Sequence, residues 1–173
     1  MSGSTAPCDV EDVIQLVPSL RAYARGLHRR SDEADDLVQE TLLKAISNAD
    51  RFQPGTNLRA WRFTIMRNTF LTNIRKRIRE SPGESECASA TLVTHPTHAS
   101  YIEAQRVLAA IGRLPEHYRE ILVLVVVVGE SYEDAAVICN CAVGTVKSRV
   151  NRARRLIIED LGIESFDEIF EHM

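Results

Sequence analysis

Ser131-Tyr-Glu-Asp-Ala-Ala-Val-Ile-Cys-Asn140-Cys-Ala-Val143-Gly-Thr-Val-Lys-Ser-Arg149-Val-Asn-Arg-Ala-Arg-Arg-Leu-Ile157 is the stretch whose reading decides the fold. Ser131 can cap a helix, with Asp134 in the reciprocal position of a capping box. That helix, over about 132–139, carries the small Ala135 and Ala136, which let a second helix cross it closely. Asn140 follows, and asparagine tolerates the left-handed conformation that a tight helix stop requires. A second helix starts near Val143, with Val146, Val150, Ala153 and Ile157 on its inner face. Lys147, Arg149, Asn151, Arg152 and Arg155 are left mainly outward. This is a helix-turn-helix pattern, whose second helix can enter the major groove, contact phosphates and read base edges. The competing reading is a solvated basic face on a structural helix. Small residue, turn and basic helix fall at compatible offsets, which favours the DNA-binding reading.

Working outward, the rest of the chain is also helical in pattern. Val10, Val13, Ile14, Val17, Leu20, Ala24 and Leu27 form one stripe, which Pro18 should break or kink because it removes a donor and clashes with the preceding turn. Ala34, Leu37, Val38, Thr41, Leu42, Ala45 and Ile46 form the next, after Ser31-Asp32 as N-cap. Pro54-Gly55-Thr56-Asn57 reads as turn and cap before a long helix from Leu58 to about Arg79, apolar in its first half and basic in its second. Tyr101, Ala104, Gln105, Leu108 and Ile111 give a short helical face, and a helix restarts at Leu114-Pro115-Glu116. Ile121 to Val128 has the propensity of a buried strand, yet no partner strand is visible, so it is read as a buried helix. Between the helical halves, Ser81 to Ser100 is rich in Ser, Thr, Pro and Gly and loses its periodicity, as a linker does. The expectation is an all-α chain of two small helical domains, 10–80 and 101–162, joined by a flexible linker over 81–100 and followed by an acidic tail over 163–173. Phe166, Ile169 and Phe170 give that tail the spacing of a short packed helix, with a frayed end as the alternative.

The net charge of −3 at first argues against nucleic acid, but the charge is segregated. Residues 59–79 carry seven basic side chains (Arg59, Arg62, Arg67, Arg75, Lys76, Arg77, Arg79) and no acid, and residues 147–155 carry five more. Screening limits each charge to about 10 Å, so local sign decides phosphate binding. Acidic residues collect at 32–40 and in the tail. Cys8, Cys87, Cys139 and Cys141 lack the spacing of a zinc ribbon or disulfide framework, so no metal is expected. No signal sequence is evident at the start, and the longest apolar run is eight residues, Ile121 to Val128. A cytoplasmic protein without membrane insertion is expected.

A second motif pairs an acidic helix with an aromatic-basic one. Asp32, Glu33, Asp35, Asp36, Gln39 and Glu40 line one end of the former. In the latter, Trp61, Phe63 and Phe70 alternate with Arg59, Arg62 and Arg67 before Arg75-Lys76-Arg77, a composition suited to single-stranded DNA. The string Asp35-Asp-Leu-Val-Gln-Glu-Thr41, then Phe52-x-Pro54 and Leu58-Arg-Ala-Trp61, resembles region 2 of extracytoplasmic-function sigma factors of the sigma-70 family. Val143-Gly-Thr-Val-Lys-Ser-Arg149 with Asn151-Arg-Ala-Arg154 resembles their region 4. Phe52-Gln-Pro-Gly-Thr-Asn-Leu58 and Ile138-Cys-Asn-Cys-Ala-Val-Gly144 look most like the alphaproteobacterial general stress response group. Arg62 and Val125 to Val128 depart from that group's pattern.

The resemblance implies a transcription initiation subunit. Asp36, Leu37, Gln39 and Glu40 would dock on the core polymerase. Trp61, Arg67, Asn68, Arg75, Lys76 and Arg77 would melt and read the −10 element. Thr145, Lys147, Ser148, Arg149 and Arg152 would contact the −35 element. Core RNA polymerase, promoter DNA and an anti-sigma factor are the implied partners, and no cofactor or catalytic residue is expected. A polymerase-independent helix-turn-helix regulator would leave the acidic and aromatic-basic helices without a role. A sigma mimic that binds an anti-sigma factor would need a phosphoreceiver domain, for which there is no βαβ pattern. An enzyme is disfavoured, because His95 and His98 lie in the linker without nearby ligands or a nucleophile.

Overall fold

The computed structural model describes residues 10–28, 30–80, 99–167 and 169, and of residues 10–14 and 99–103 the backbone alone. Most of the expected linker, 81–98, lies outside the described residues, as do His95, His98, Cys8, Cys87 and Phe170. Every element among the described residues is helical. Helices α1 (Val10–Leu27), α2 (Ser31–Ser47) and α3 (Leu58–Glu80) form one unit, and α4 (Ala99–Arg113), α5 (Glu116–Leu122), α6 (Tyr132–Cys139) and α7 (Val143–Leu161) the other.

In the first unit the apolar stripes meet. Leu16, Leu20, Tyr23, Ala24 and Leu27 of α1 pack with Ala34, Leu37, Val38 and Ala45 of α2 and with Ala60, Phe63, Met66 and Phe70 of α3. Tyr23 meets Phe63 edge-on, with ring centroids 5.4 Å apart. Thr41 is fully buried, and its hydroxyl donates to the Leu37 carbonyl at 2.7 Å, so no polar atom there is orphaned.

Two expectations need correction in this unit. Pro18 sits inside α1 without ending it. It is exposed, so the carbonyl one turn earlier that loses its amide partner lies on the solvent side of the helix. Ser31 is the first helical residue of α2 rather than its cap; extended Arg30 precedes it, and Asp32 and Glu33 in the first turn meet the positive helix end. The start of α3 follows the expected pattern: Gly55 takes a positive φ of 89°, and Asn57 Oδ1 accepts the Ala60 amide at 3.1 Å.

In the second unit, Val146, Val150, Ala153 and Ile157 of α7 pack with Ala135, Ala136, Ile138 and Cys139 of α6 and with Val107 and Ala110 of α4. Leu108 was expected inward but is 50% exposed; the inward stripe of α4 runs through Val107, Ala110 and Ile111 towards Leu114. The segment Ile121 to Val128 is helical, as expected, though not uniformly α. From Val123 to Val127 it widens to a π turn, closed by the Val128 amide on the Val123 carbonyl at 2.9 Å. The wider turn suits consecutive β-branched side chains, which crowd the preceding turn of an α-helix. Phe166 and Ile169 are buried against this core, with the Arg154 guanidinium 5.1 Å from the Phe166 ring.

The two units share one continuous core. α1 lies against α5 and the π turn, and α3 lies against α6. Gly26 makes the first contact possible: a Cβ there would sit 2.7 Å from a Val123 methyl carbon.

Candidate nucleic-acid interface

The helix-turn-helix is built by local rules. Ser131 Oγ accepts the Asp134 amide at 2.9 Å, and its hydroxyl donates to Asp134 Oδ2 at 2.8 Å. The pairing is therefore reciprocal through the hydroxyl, where a capping box would use the Ser131 amide. Asn140 takes the left-handed conformation (φ 49°, ψ 55°) and ends α6, while the Cys141 amide returns to the Ala136 carbonyl at 3.0 Å. With four inner residues of α7 fully buried, Lys147, Ser148 and Arg152 are exposed and Thr145 and Arg149 half-buried. Thr145, Ser148, Arg149 and Arg152 fall at helical spacing on one face, while Lys147 stands on the other flank of the buried stripe, 6.0 Å from the Tyr132 ring. Four of the five residues expected at the −35 element thus share a face, and Lys147 does not.

Cys139 closes α6 on the inner side. Burial, then the negative charge of Glu120, pushes its thiol up to about 12. Cys139 and Cys141 are both free thiols, and no cluster of three or more potential metal ligands exists among the described residues.

On α3, Trp61 leans against Phe52, with ring centroids 5.5 Å apart. Trp61, Ile65, Asn68, Thr69 and Thr72 line an open cleft of about 380 Å³ with Lys44, Asn48 and Arg51. Lys44 donates to Thr69 Oγ1 at 3.2 Å and pairs with Glu40 at 2.8 Å. An aromatic wall, amide and hydroxyl groups and two cations can receive an unstacked base and its phosphate. Sequence reading identified Trp61 and Asn68 but missed the rest of the face they share, Ile65 and Thr72. The spacing 61, 65, 68, 72 is its signal, one helical face that carries an aromatic and polar groups where a core stripe would be apolar. Arg75, Lys76 and Arg77 are exposed beyond the cleft.

Three arginines of α3 do not belong to that face. Arg62, counted in the basic surface, is 2% exposed and lies inside the fold. Arg67, expected at the −10 element, points to the second unit, where its Nε donates to Glu120 Oε1 at 2.6 Å. Desolvation works against its charge, but Glu120 outweighs it and holds the pKa above the ordinary value. Arg59 pairs with Glu130 and donates to the Val128 carbonyl at 3.0 Å. In this arrangement Arg67 is not presented with Trp61 and Asn68.

On α2, Asp36 and Gln39 are exposed, and Glu40 is half-buried. Hydrogen bonds from Lys44 and then Asn73 hold the Glu40 carboxyl below its ordinary pKa. Leu37 is 2% exposed and belongs to the core, so it cannot share a docking face with its neighbours. Ile46, read as part of the inner stripe, is 61% exposed, and Leu43 is 66% exposed. With Asp36 and Gln39 they form an outer stripe that ends in two unburied apolar side chains.

Known proteins resemble this chain in sequence and fold. The family model of Sigma-70 region 2 matches residues 12–80, and that of Sigma-70, region 4 matches 104–157. The ECF RNA polymerase sigma factor EcfG of Rhodopseudomonas palustris is 54% identical over 144 residues, 83% of this chain and 80% of that protein. The sigma factor RpoE in complex with the anti-sigma factor NepR, from Bartonella quintana, superposes with a TM-score of 0.79 at 41% identity, over 90% of this chain and 97% of that one. CnrH in complex with the cytosolic domain of CnrY gives 0.65 at 28% identity, over 92% and 94%. Fold and site define an all-α protein of two sigma-type helical domains, the second a helix-turn-helix. The chain belongs to the extracytoplasmic-function family of RNA polymerase sigma factors.

Proposed function

We propose that the work of this sigma factor is divided among three faces. The outer stripe of α2, with Asp36, Gln39, Glu40, Leu43 and Ile46, docks on core polymerase. The cleft at Trp61 and Asn68, extended by Arg75, Lys76 and Arg77, opens and holds the −10 element. Thr145, Lys147, Ser148, Arg149 and Arg152 meet the −35 element from α7. The first two faces belong to a domain over 10–80, the third to a domain over 101–162, with 81–100 as linker and 163–173 as tail.

The cleft carries this reading, because a helix-turn-helix alone needs only duplex DNA. An open pocket with an aromatic wall and flanking cations suits a base taken out of its stack. Unstacking costs a few kcal/mol, and stacking on an aromatic side chain returns about 1–3 kcal/mol per base. The protein works by binding, without a chemical step. It acts in the cytoplasm, where the polymerase is, and serves a stress response, the role implied by its region 2 and region 4 motifs. An anti-sigma factor is a further partner, as in the similar Bartonella complex.

Run-off transcription with purified core polymerase, on fragmented DNA from the source organism, tests this reading. Discrete transcripts are expected only when the protein is present, and they should vanish with Trp61→Ala. Specific duplex binding by the protein alone, without transcripts, would replace this reading with that of a polymerase-independent regulator.

A further inference from the structure

We infer that Glu120 and Glu130 form an intramolecular latch, occupying Arg67 and Arg59 of α3 and holding the chain in a closed form that must open before its −10 face is complete. The inference rests on the assignment of α3 to single-stranded DNA and deepens it.

The contacts lie along one seam between the units. The Glu120 side chain is 9% exposed, and its Oε1 accepts both the Tyr23 hydroxyl at 3.1 Å and Arg67 Nε at 2.6 Å. The Glu130 side chain is 3% exposed and pairs with Arg59, which also reaches the Val128 carbonyl. At the end of the seam, Asn57 Nδ2 donates to Asp134 Oδ1 at 2.9 Å. Asn57 caps α3 and Asp134 belongs to the cap of α6, so the starts of the two helices are joined.

A carboxylate and a phosphate are both oxyanions that a guanidinium recognises through charge-assisted hydrogen bonds. Glu120 therefore competes with DNA for Arg67. A carboxylate left buried without its cation is strongly unfavourable, so neither glutamate can release its arginine while the seam stays closed. Exchange of carboxylate for phosphate and separation of the units then become one event.

The likeness to the Bartonella sigma factor extends over 90% of the chain and so across both units. The contacts that hold this arrangement here all lie within the chain. A partner that binds the closed form thus stabilises a state the chain already favours.

The test uses the full chain and the double variant Glu120→Gln with Glu130→Gln, which keeps side-chain size while removing both charges. X-ray scattering reports the radius of gyration, circular dichroism the helix content, and fluorescence anisotropy the affinity for a mixed-sequence 12-nucleotide single strand. The variant is expected to keep its helix content, to expand, and to bind the single strand roughly 5–10-fold more tightly, the range of a modest coupling between two sites. A charge swap, Glu120→Arg with Arg67→Glu, should restore the compact radius. Unchanged radius and affinity, while Trp61→Ala still weakens single-strand binding, would overturn the latch and leave the assignment of α3 standing. Expansion without tighter binding, together with no effect of Trp61→Ala, would overturn that assignment and the latch with it.

Discussion

Gly26→Ala offers a steric route to the seam between the units that touches no charge. The new Cβ would lie 2.7 and 2.8 Å from the two methyl carbons of Val123 and 3.0 Å from its Cβ. Favourable carbon–carbon contacts begin near 3.5 Å, so α1 and the π turn must separate by roughly 1 Å. Val123 cannot swing aside, because it is buried and a β-branched side chain is stiff about its first torsion. Overpacking of this kind costs about 1–3 kcal/mol. Against it stands the gain of about 1 kcal/mol from alanine over glycine within a helix. The closed form should therefore lose up to about 2 kcal/mol, although the substitution favours α1 as a helix. Thermal unfolding of wild type, Gly26→Ala, Val123→Ala and the double variant gives the coupling between the two positions. It should be about 1–3 kcal/mol, with Val123→Ala relieving the clash. A Gly26→Ala protein stabilised by the full helix gain, with no coupling to Val123, would refute the reasoning.

Lys147→Ala should weaken duplex binding about equally at all promoters and lower the slope of log affinity against log salt by about 1, measured by anisotropy titrations at several salt concentrations. Arg75→Ala with Lys76→Ala should impair promoter opening more than binding to core polymerase; permanganate reactivity of the unpaired strand, set beside a polymerase pull-down, separates the two. Ser131→Ala should cost about 1 kcal/mol in denaturant unfolding, the usual worth of a helix cap. Burial, then the charge of Glu120, holds the Tyr23 hydroxyl pKa well above its ordinary value. Its contribution to stability is complete below about pH 10 and is lost as pH rises towards the folded value. Melting temperatures from pH 9 to 11 should therefore fall less steeply in Tyr23→Phe.

What the sequence made legible was local. Ser131, Asn140 and the stripe Val146, Val150, Ala153 and Ile157 act within a few residues of one another, and each took its expected place. Leu37 shows the limit of reading by motif. It lies in the docking string and equally in the core spacing 34, 37, 38, 41, 45, and the core holds it. The arginines of α3 were read as one basic surface because a run of like charge implies solvated side chains. The partners of Arg67 and Arg59, Glu120 and Glu130, lie 53 and 71 residues further along the chain, where no periodicity can point to them. The outward turn of Ile46 was hidden for a related reason. Helical spacing groups residues by face, but the packing of α1 and α3 on α2 decides how wide the buried face is.

Cys139 gives the second unit a clock of its own. Burial pushes its thiol up to about 12, so almost none of it is ionised at pH 7. A maleimide in solution should therefore modify half-buried Cys141 long before its neighbour two residues away. The rate at which the Cys139 peptide gains mass would then count the openings of the helix-turn-helix core, in a protein carrying no added label.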